Sequence, residues 1–142
     1  MTVAAILKHK GFDVASVRPT TKVADVARLL SSRRIGAVVV QDGADQLLGI
    51  VSERDIVRRL HEDEAVLDGA VSAIMTSDVE TCAPSTTVDD LRVVMTERRI
   101  RHVPVVTDGR LTGIISIGDV VKSSLDQLQF ERDQLDSYVH QT

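Results

Sequence analysis

The sequence predicts an α+β fold in which one β-α-β-β-α unit is used twice. Three observations lead there. Apolar residues make up 43% of the chain and aromatic residues only 2%, so the core must be built from Val, Ile, Leu and Ala, which suits helices laid on β-branched strands. Short apolar runs of strand character alternate with stretches whose apolar residues recur at helical spacing. Finally, Gly49 to Asp55 reads Gly-Ile-Val-Ser-Glu-Arg-Asp and returns as Gly113 to Asp119, Gly-Ile-Ile-Ser-Ile-Gly-Asp. At 142 residues the chain is long enough for one compact core or two small ones packed together.

Taken in order, Val3, Ile6 and Leu7 lie at helical spacing with Gly11 as a stop, predicting a short leading helix. Val14 to Val17 alternates as a brief strand, punctuated by Pro19 and two threonines. Val23, Val26, Ala27, Leu29 and Leu30 form the apolar face of a helix ending near Arg34. Ala37 to Val40 reads as a buried strand, Asp42, Gly43, Ala44 and Asp45 as a turn, and Leu47 to Ser52 as a second strand. Ile56, Val57 and Leu60 give the helix that follows its apolar face.

After a polar linker from His61 to Gly69 the order begins again. Val71, Ile74 and Met75 mirror the leading helix. Pro84 matches Pro19, Val88 matches Val23, Met95 matches Leu30, Arg99 and Ile100 match Arg34 and Ile35, and the strand His102 to Val106 matches Ala37 to Gln41. One residue fewer in the turn around Asp108 and Gly109 brings Gly113, Ser116 and Asp119 into line with Gly49, Ser52 and Asp55. An element order repeated with such small length changes is a duplication, and units this small must share a core or a face. Beyond them Val121, Leu125, Leu128, Leu135 and Val139 fall at alternating intervals of four and three, with Arg132 in the polar slot. This is a brief heptad seam, for a helix folded back on its own domain or paired with another molecule. The chain divides into residues 1–66, the first repeat with its leading helix; 67–124, the second repeat; and 125–142, a C-terminal amphipathic helix.

A net charge of −4 gives no general attraction to nucleic acid or to an anionic membrane, and Arg98, Arg99 and Arg101 lack the aromatic neighbours of a nucleic-acid surface. No apolar run is long enough to span a bilayer, and Met1 to Lys10 lacks a secretory apolar segment, which makes a cytoplasmic protein the expectation. The single cysteine, Cys82, excludes an internal disulfide and a multi-cysteine metal site. His9, His61, His102 and His140 show no metal-ligand spacing, and no nucleophile stands near a base. No catalytic residue and no metal are therefore expected.

The chemistry is concentrated at the two Gly-h-h-Ser-x-x-Asp junctions, where h is a β-branched apolar residue. An apolar run ending in Ser-x-x-Asp is a strand turning directly into a helix, with serine at the N-cap and aspartate in the first turn. Taken alone it is a capping box worth about 1 kcal/mol. The same turn presents backbone N–H groups and a positive helix end, which suit phosphate. A carboxylate there suits an uncharged hydrogen-bonding group such as a ribose diol. Together they read as a nucleotide site.

The duplicated unit, both junctions and the strand Arg101-His102-Val103-Pro104-Val105-Val106 resemble a cystathionine-β-synthase (CBS) domain pair, a Bateman module, over about Val3 to Leu125. The resemblance implies tandem repeats packed with pseudo-two-fold symmetry, homodimers, and adenosine ligands such as AMP, ATP, NAD(H) or S-adenosylmethionine in two clefts. It implies a sensor that passes ligand occupancy, through conformational or dimer changes, to an unknown protein target. A structural interaction module or regulatory subunit with ligand-free clefts is the alternative. Carried over residue by residue, one site has Ser116 and Asp119, with Arg101 and His102 near phosphate, and Ala15, Ile35, Gly36 and Ala37 around adenine. The other has Ser52, Arg54 and Asp55, with Thr81, Ile100, Arg101, His102 and Pro104 around adenine. The first copy departs from the family strand, reading Ile35-Gly36-Ala37-Val38-Val39-Val40 without proline or a basic residue, and Arg54 has Gly118 as its counterpart. Two sites of different affinity or ligand are expected.

Overall fold

A computed structural model of the chain describes residues 1–43 and 46–140; Ala44 and Asp45 of the predicted turn lie outside the described residues. The elements are α1 (Val3–Lys10), β1 (Ser16–Val17), α2 (Val23–Arg33), β2 (Ala37–Gln41), β3 (Leu47–Ser52), α3 (Glu53–Glu62), α4 (Val88–Arg98), β4 (His102–Thr107), β5 (Arg110–Ser116) and α5 (Ile117–His140). Two short 3-10 segments, Glu64–Asp68 and Val71–Ala73, bridge α3 and α4. This is the tandem α+β arrangement predicted. In the first repeat β1 runs parallel to β2, which pairs antiparallel with β3; in the second, β4 and β5 form an antiparallel pair. The counterpart of β1 shrinks to one parallel bridge between Cys82 and Val105. Burial pushes the Cys82 thiol up to about 11, so it stays protonated at neutral pH and serves as a packed apolar group.

Two details differ from the sequence expectation. The mirror of the leading helix is only a 3-10 turn, Val71–Ala73, since Thr76 leaves helical geometry to form an antiparallel bridge with Ile50. The C-terminal helix is also not a separate element. α5 starts at Ile117 and runs unbroken to His140, because no glycine or proline interrupts it beyond Gly118.

Chain order and packing divide the molecule differently at the leading segments. Val3, Ile6 and Leu7 of α1 are buried with Val88, Leu91, Met95, Val103 and Ile115 of the second repeat. Val71 and Ile74 are buried with Val23, Val26, Leu30, Val38 and Val51 of the first. Each leader is pinned by backbone hydrogen bonds at the start of the helix it covers. Val3 N–H donates to Thr86 C=O and Val88 N–H to Met1 C=O, while Val71 N–H donates to Thr21 C=O and Val23 N–H to Gly69 C=O. The exchange explains the glycine of each junction. A Cβ on Gly49 would lie 2.6 Å from Met75 Sδ and 2.9 Å from Thr76 C=O, and one on Gly113 would lie 2.7 Å from Leu7 Cδ2. Glycine lets the partner leader lie directly on the strand. Among the described residues no helix is long and apolar enough to cross a membrane.

Candidate functional site

Both junctions fold as predicted. Ser52 caps α3: its Oγ accepts from Asp55 N–H at 3.3 Å, and Asp55 Oδ2 accepts from Ser52 N–H at 2.9 Å and from Ser52 Oγ at 3.0 Å. Ser116 Oγ accepts from Asp119 N–H at 3.2 Å, and Asp119 Oδ2 accepts from Ser116 N–H at 2.8 Å. Each helix start is tied to the residue just before the first strand of its hairpin, by Glu53 N–H to Gly36 C=O, 2.9 Å, and Ile117 N–H to Arg101 C=O, 2.8 Å. The two strand starts approach closely, since a Cβ on Gly36 would lie 3.0 Å from His102 Cε1.

A cleft opens on each side of that contact. The first, about 490 Å³, lies between Ser52, Glu53, Arg54, Asp55 and Arg58 of one repeat and Arg98, Arg99, Ile100, Arg101 and His102 of the other, with Gly36 and Ala37 as floor and Thr76, Asp78, Val79 and Glu80 closing its side. The second, about 630 Å³, lies between Ser116 and Asp119 of one repeat and Arg33, Arg34, Ile35, Gly36 and Ala37 of the other, with His102, Lys10, Asp13 and Ala15 around it. Both volumes fall within the roughly 300–1,000 Å³ of small-ligand sites.

Of the residues singled out from sequence, Ser52, Arg54, Asp55, Ile100, Arg101 and His102 line the first cleft, and Ala15, Ile35, Gly36, Ala37, His102, Ser116 and Asp119 line the second. Arg101, expected at both, borders only the first. Gly118 is exposed outside both linings, as is Thr81, and Pro104 is buried in β4 opposite Ile114.

Sequence reasoning did not assign the cations that dominate the clefts: Arg58, Arg98 and Arg99 in the first, Lys10, Arg33 and Arg34 in the second. Arg34 and Arg99 share a conformational signal. Both sit at φ 54°, in the left-handed region, where helices end. Ile35 N–H reaches Leu30 C=O and Ile100 N–H reaches Met95 C=O, the hydrogen bond of a Schellman ending. Glycine or asparagine is the usual occupant, and another residue bearing a Cβ there costs about 1–2 kcal/mol. An arginine occupies this left-handed position in both copies, one beside each cleft. The matched Arg34-Ile35 and Arg99-Ile100 pairs carried that signal.

Lys10 distinguishes the clefts. Its ammonium donates to Asp119 Oδ2 at 2.5 Å and to Ile114 C=O at 2.7 Å. Extending the leader match of Leu7 with Met75 by three residues pairs Lys10 with Asp78, so one cleft receives a cation where the other receives a carboxylate. Burial alone would push the Asp119 carboxyl up, but the hydrogen bonds from Lys10 and Ser116 and the charge of Lys10 outweigh it and hold the group below 3.8.

His102 lies between the clefts. Burial, reinforced by Lys10 and Arg101 and opposed by Glu53 and Asp119, holds its imidazole below 6.5. The folded protein therefore favours the neutral ring. That contribution to stability is complete above pH 6.5 and is lost as pH falls from there through the folded value. Urea unfolding midpoints should drop as pH falls below 6.5, and His102→Gln should flatten that drop. An unchanged slope in the variant would assign the drop to other groups.

Residues 3–62 and 71–126 match the CBS domain, and the chain belongs to the CBS-domain family. A CBS-domain-containing protein from Agrobacterium tumefaciens has the same fold, with a TM-score of 0.85 and 45% identity over 87% of this chain and 99% of that one. The mitochondrial CBS-domain-containing protein CBSX3 of Arabidopsis thaliana is 34% identical over 147 residues, 97% of this chain and 71% of that protein. The chain spans 66% of a 33% identical, 17.7 kDa protein of Acidianus ambivalens. CBSX2, solved in complex with AMP, superposes with a TM-score of 0.74 at 25% identity over 88% of this chain and 97% of that one.

Proposed function

We propose that the chain is a regulatory sensor without catalytic activity of its own, binding AMP or a related adenosine ligand in two unequal inter-repeat clefts. The observation that carries this reading is the crossed geometry. Each cleft sets a Ser-x-x-Asp helix start from one repeat against the arginine-bearing helix end and strand start of the other, so a bound ligand touches both repeats and reports on their relative position. Adenine lies against the strand starts at Ile35–Ala37 or Ile100–His102, the ribose diol hydrogen-bonds the aspartate, and phosphate meets the helix start and the arginines. The AMP complex of CBSX2 supports this choice of ligand class.

The first cleft is the stronger site. Among the described residues Asp55 Oδ2 is engaged only within its own cap, whereas Asp119 must give up Lys10 before it can take a ribose. The second cleft therefore selects phosphorylated ligands, which draw Lys10 from carboxylate to phosphate, and discriminates against uncharged adenosine. Thermal unfolding with AMP, ATP, NADH, S-adenosylmethionine and adenosine tests the reading. Ligand at 100 times its dissociation constant adds about 2.7 kcal/mol, a rise in melting temperature on the order of 5–10 °C for a chain of this size. A melting temperature unmoved by every adenosine compound favours the ligand-free interaction module instead.

A further inference from the structure

The distal part of α5 takes no part in either core. From Leu125 to His140 every residue is exposed, and Val120 is the last buried one among the described residues. At about 1.5 Å per residue this arm extends about 24 Å beyond the body. Isolated helices of this length are marginal in water, and Leu125, Leu128 and Leu135 are 60%, 61% and 66% exposed on one stripe. The arm is a heptad seam with its apolar face uncovered, which excludes the fold-back reading.

We propose that the arm pairs with the arm of a second copy of this chain as an antiparallel two-helix coiled coil centred on Phe130. In heptad terms Leu125 and Arg132 occupy position a, and Val121, Leu128 and Leu135 occupy position d. A parallel pair sets Arg132 against Arg132 of the second copy in the core, and Glu131 at g against Asp136 at the partner's e, two arrangements of like charge. An antiparallel pair removes both. Leu125 meets Leu135 of the second copy and Leu128 meets the aliphatic stem of its Arg132, whose guanidinium reaches the rim. Along one flank Lys122 faces Asp136 of the second copy, twice by symmetry, and Gln129 faces Gln129. Along the other, Glu131 meets Glu131 of the second copy, a like-charge contact that the two adjacent Arg132 guanidiniums offset. Charge thus selects a second copy and its direction. Phe130 lies on the opposite side of the helix from the seam.

The test uses the full chain, with self-association followed by sedimentation. Leu125→Asp with Leu135→Asp should raise the self-association constant for dissociation at least about tenfold, while Phe130→Ser should leave it unchanged. The arm lies outside both cores, so both variants should unfold like the parent. Lys122→Glu should weaken association and the added Asp136→Lys should restore it. In a Cys82→Ser background, Gln129→Cys should form a disulfide-linked dimer on mild oxidation and Arg132→Cys should not. Cross-linking through position 132 but not 129, failure of the charge reversal to restore association, or no effect of the leucine variants would each overturn the proposal.

Discussion

Asp55→Ala is expected to weaken AMP binding at the first cleft by about 10–100-fold, the cost of losing about 1.5–3 kcal/mol of hydrogen bonding to a charged group. The carboxylate also closes the capping box of α3, so the variant should lose about 1 kcal/mol of stability, small enough to leave the fold intact. Asp55→Asn separates the two effects. It keeps the shape and an oxygen acceptor but loses the charge, so affinity should fall while the unfolding midpoint stays close to that of the parent. Asp119→Ala should leave the first cleft untouched and abolish binding at the second, where it also removes the ion-pair partner of Lys10. Calorimetric titration reads affinity and stoichiometry together; if both alanine variants titrate like the parent, neither carboxylate holds ribose.

Gly49→Val should be among the most destabilising single changes in the chain, about 3 kcal/mol. A Cβ at this position meets not only the movable end of Met75 but also the carbonyl of Thr76, which the antiparallel bridge with Ile50 holds in place through hydrogen bonds of 3.0 and 2.9 Å. Relief requires the second leader to lift, and Thr76, Asp78 and Glu80 on its far end form a wall of the first cleft. Urea unfolding should show the loss, and AMP affinity should fall with it. Gly113→Ala is milder, since the side chain of Leu7 can turn aside. Equal stability of Gly49→Val and the parent would contradict the account of the leaders.

The repeat, the junction caps and the heptad seam were legible because each is written locally: an apolar period, a serine three residues before an aspartate, leucines at intervals of four and three. Which core a leader joins is not written locally. Val3, Ile6 and Leu7 would pack equally well on either repeat by periodicity, since Gly49 and Gly113 offer like clearance, and it is the burial against Leu91 and Ile115 and the Val3–Thr86 and Val88–Met1 hydrogen bonds that place them on the second. Lys10 escaped notice for the same reason, as its meeting with Asp119 depends on that exchange. Arg34 and Arg99 escaped because an arginine beyond a helix end reads as a solvated residue until its backbone is seen to be left-handed. Thr81 and Pro104, taken over from the family pattern, fall outside the linings because the strand before α4 is reduced to the single Cys82–Val105 bridge, with Cys82 N–H bonded to Pro104 C=O.

The central claim is that two unequal clefts take an adenosine nucleotide across the repeat boundary. Calorimetric titration of the unmodified chain with AMP tests it most directly. The account predicts two binding events per chain, the tighter one weakened about 10–100-fold in Asp55→Ala and the weaker one lost in Asp119→Ala. A single event indifferent to both substitutions, or no heat beyond dilution, would contradict it.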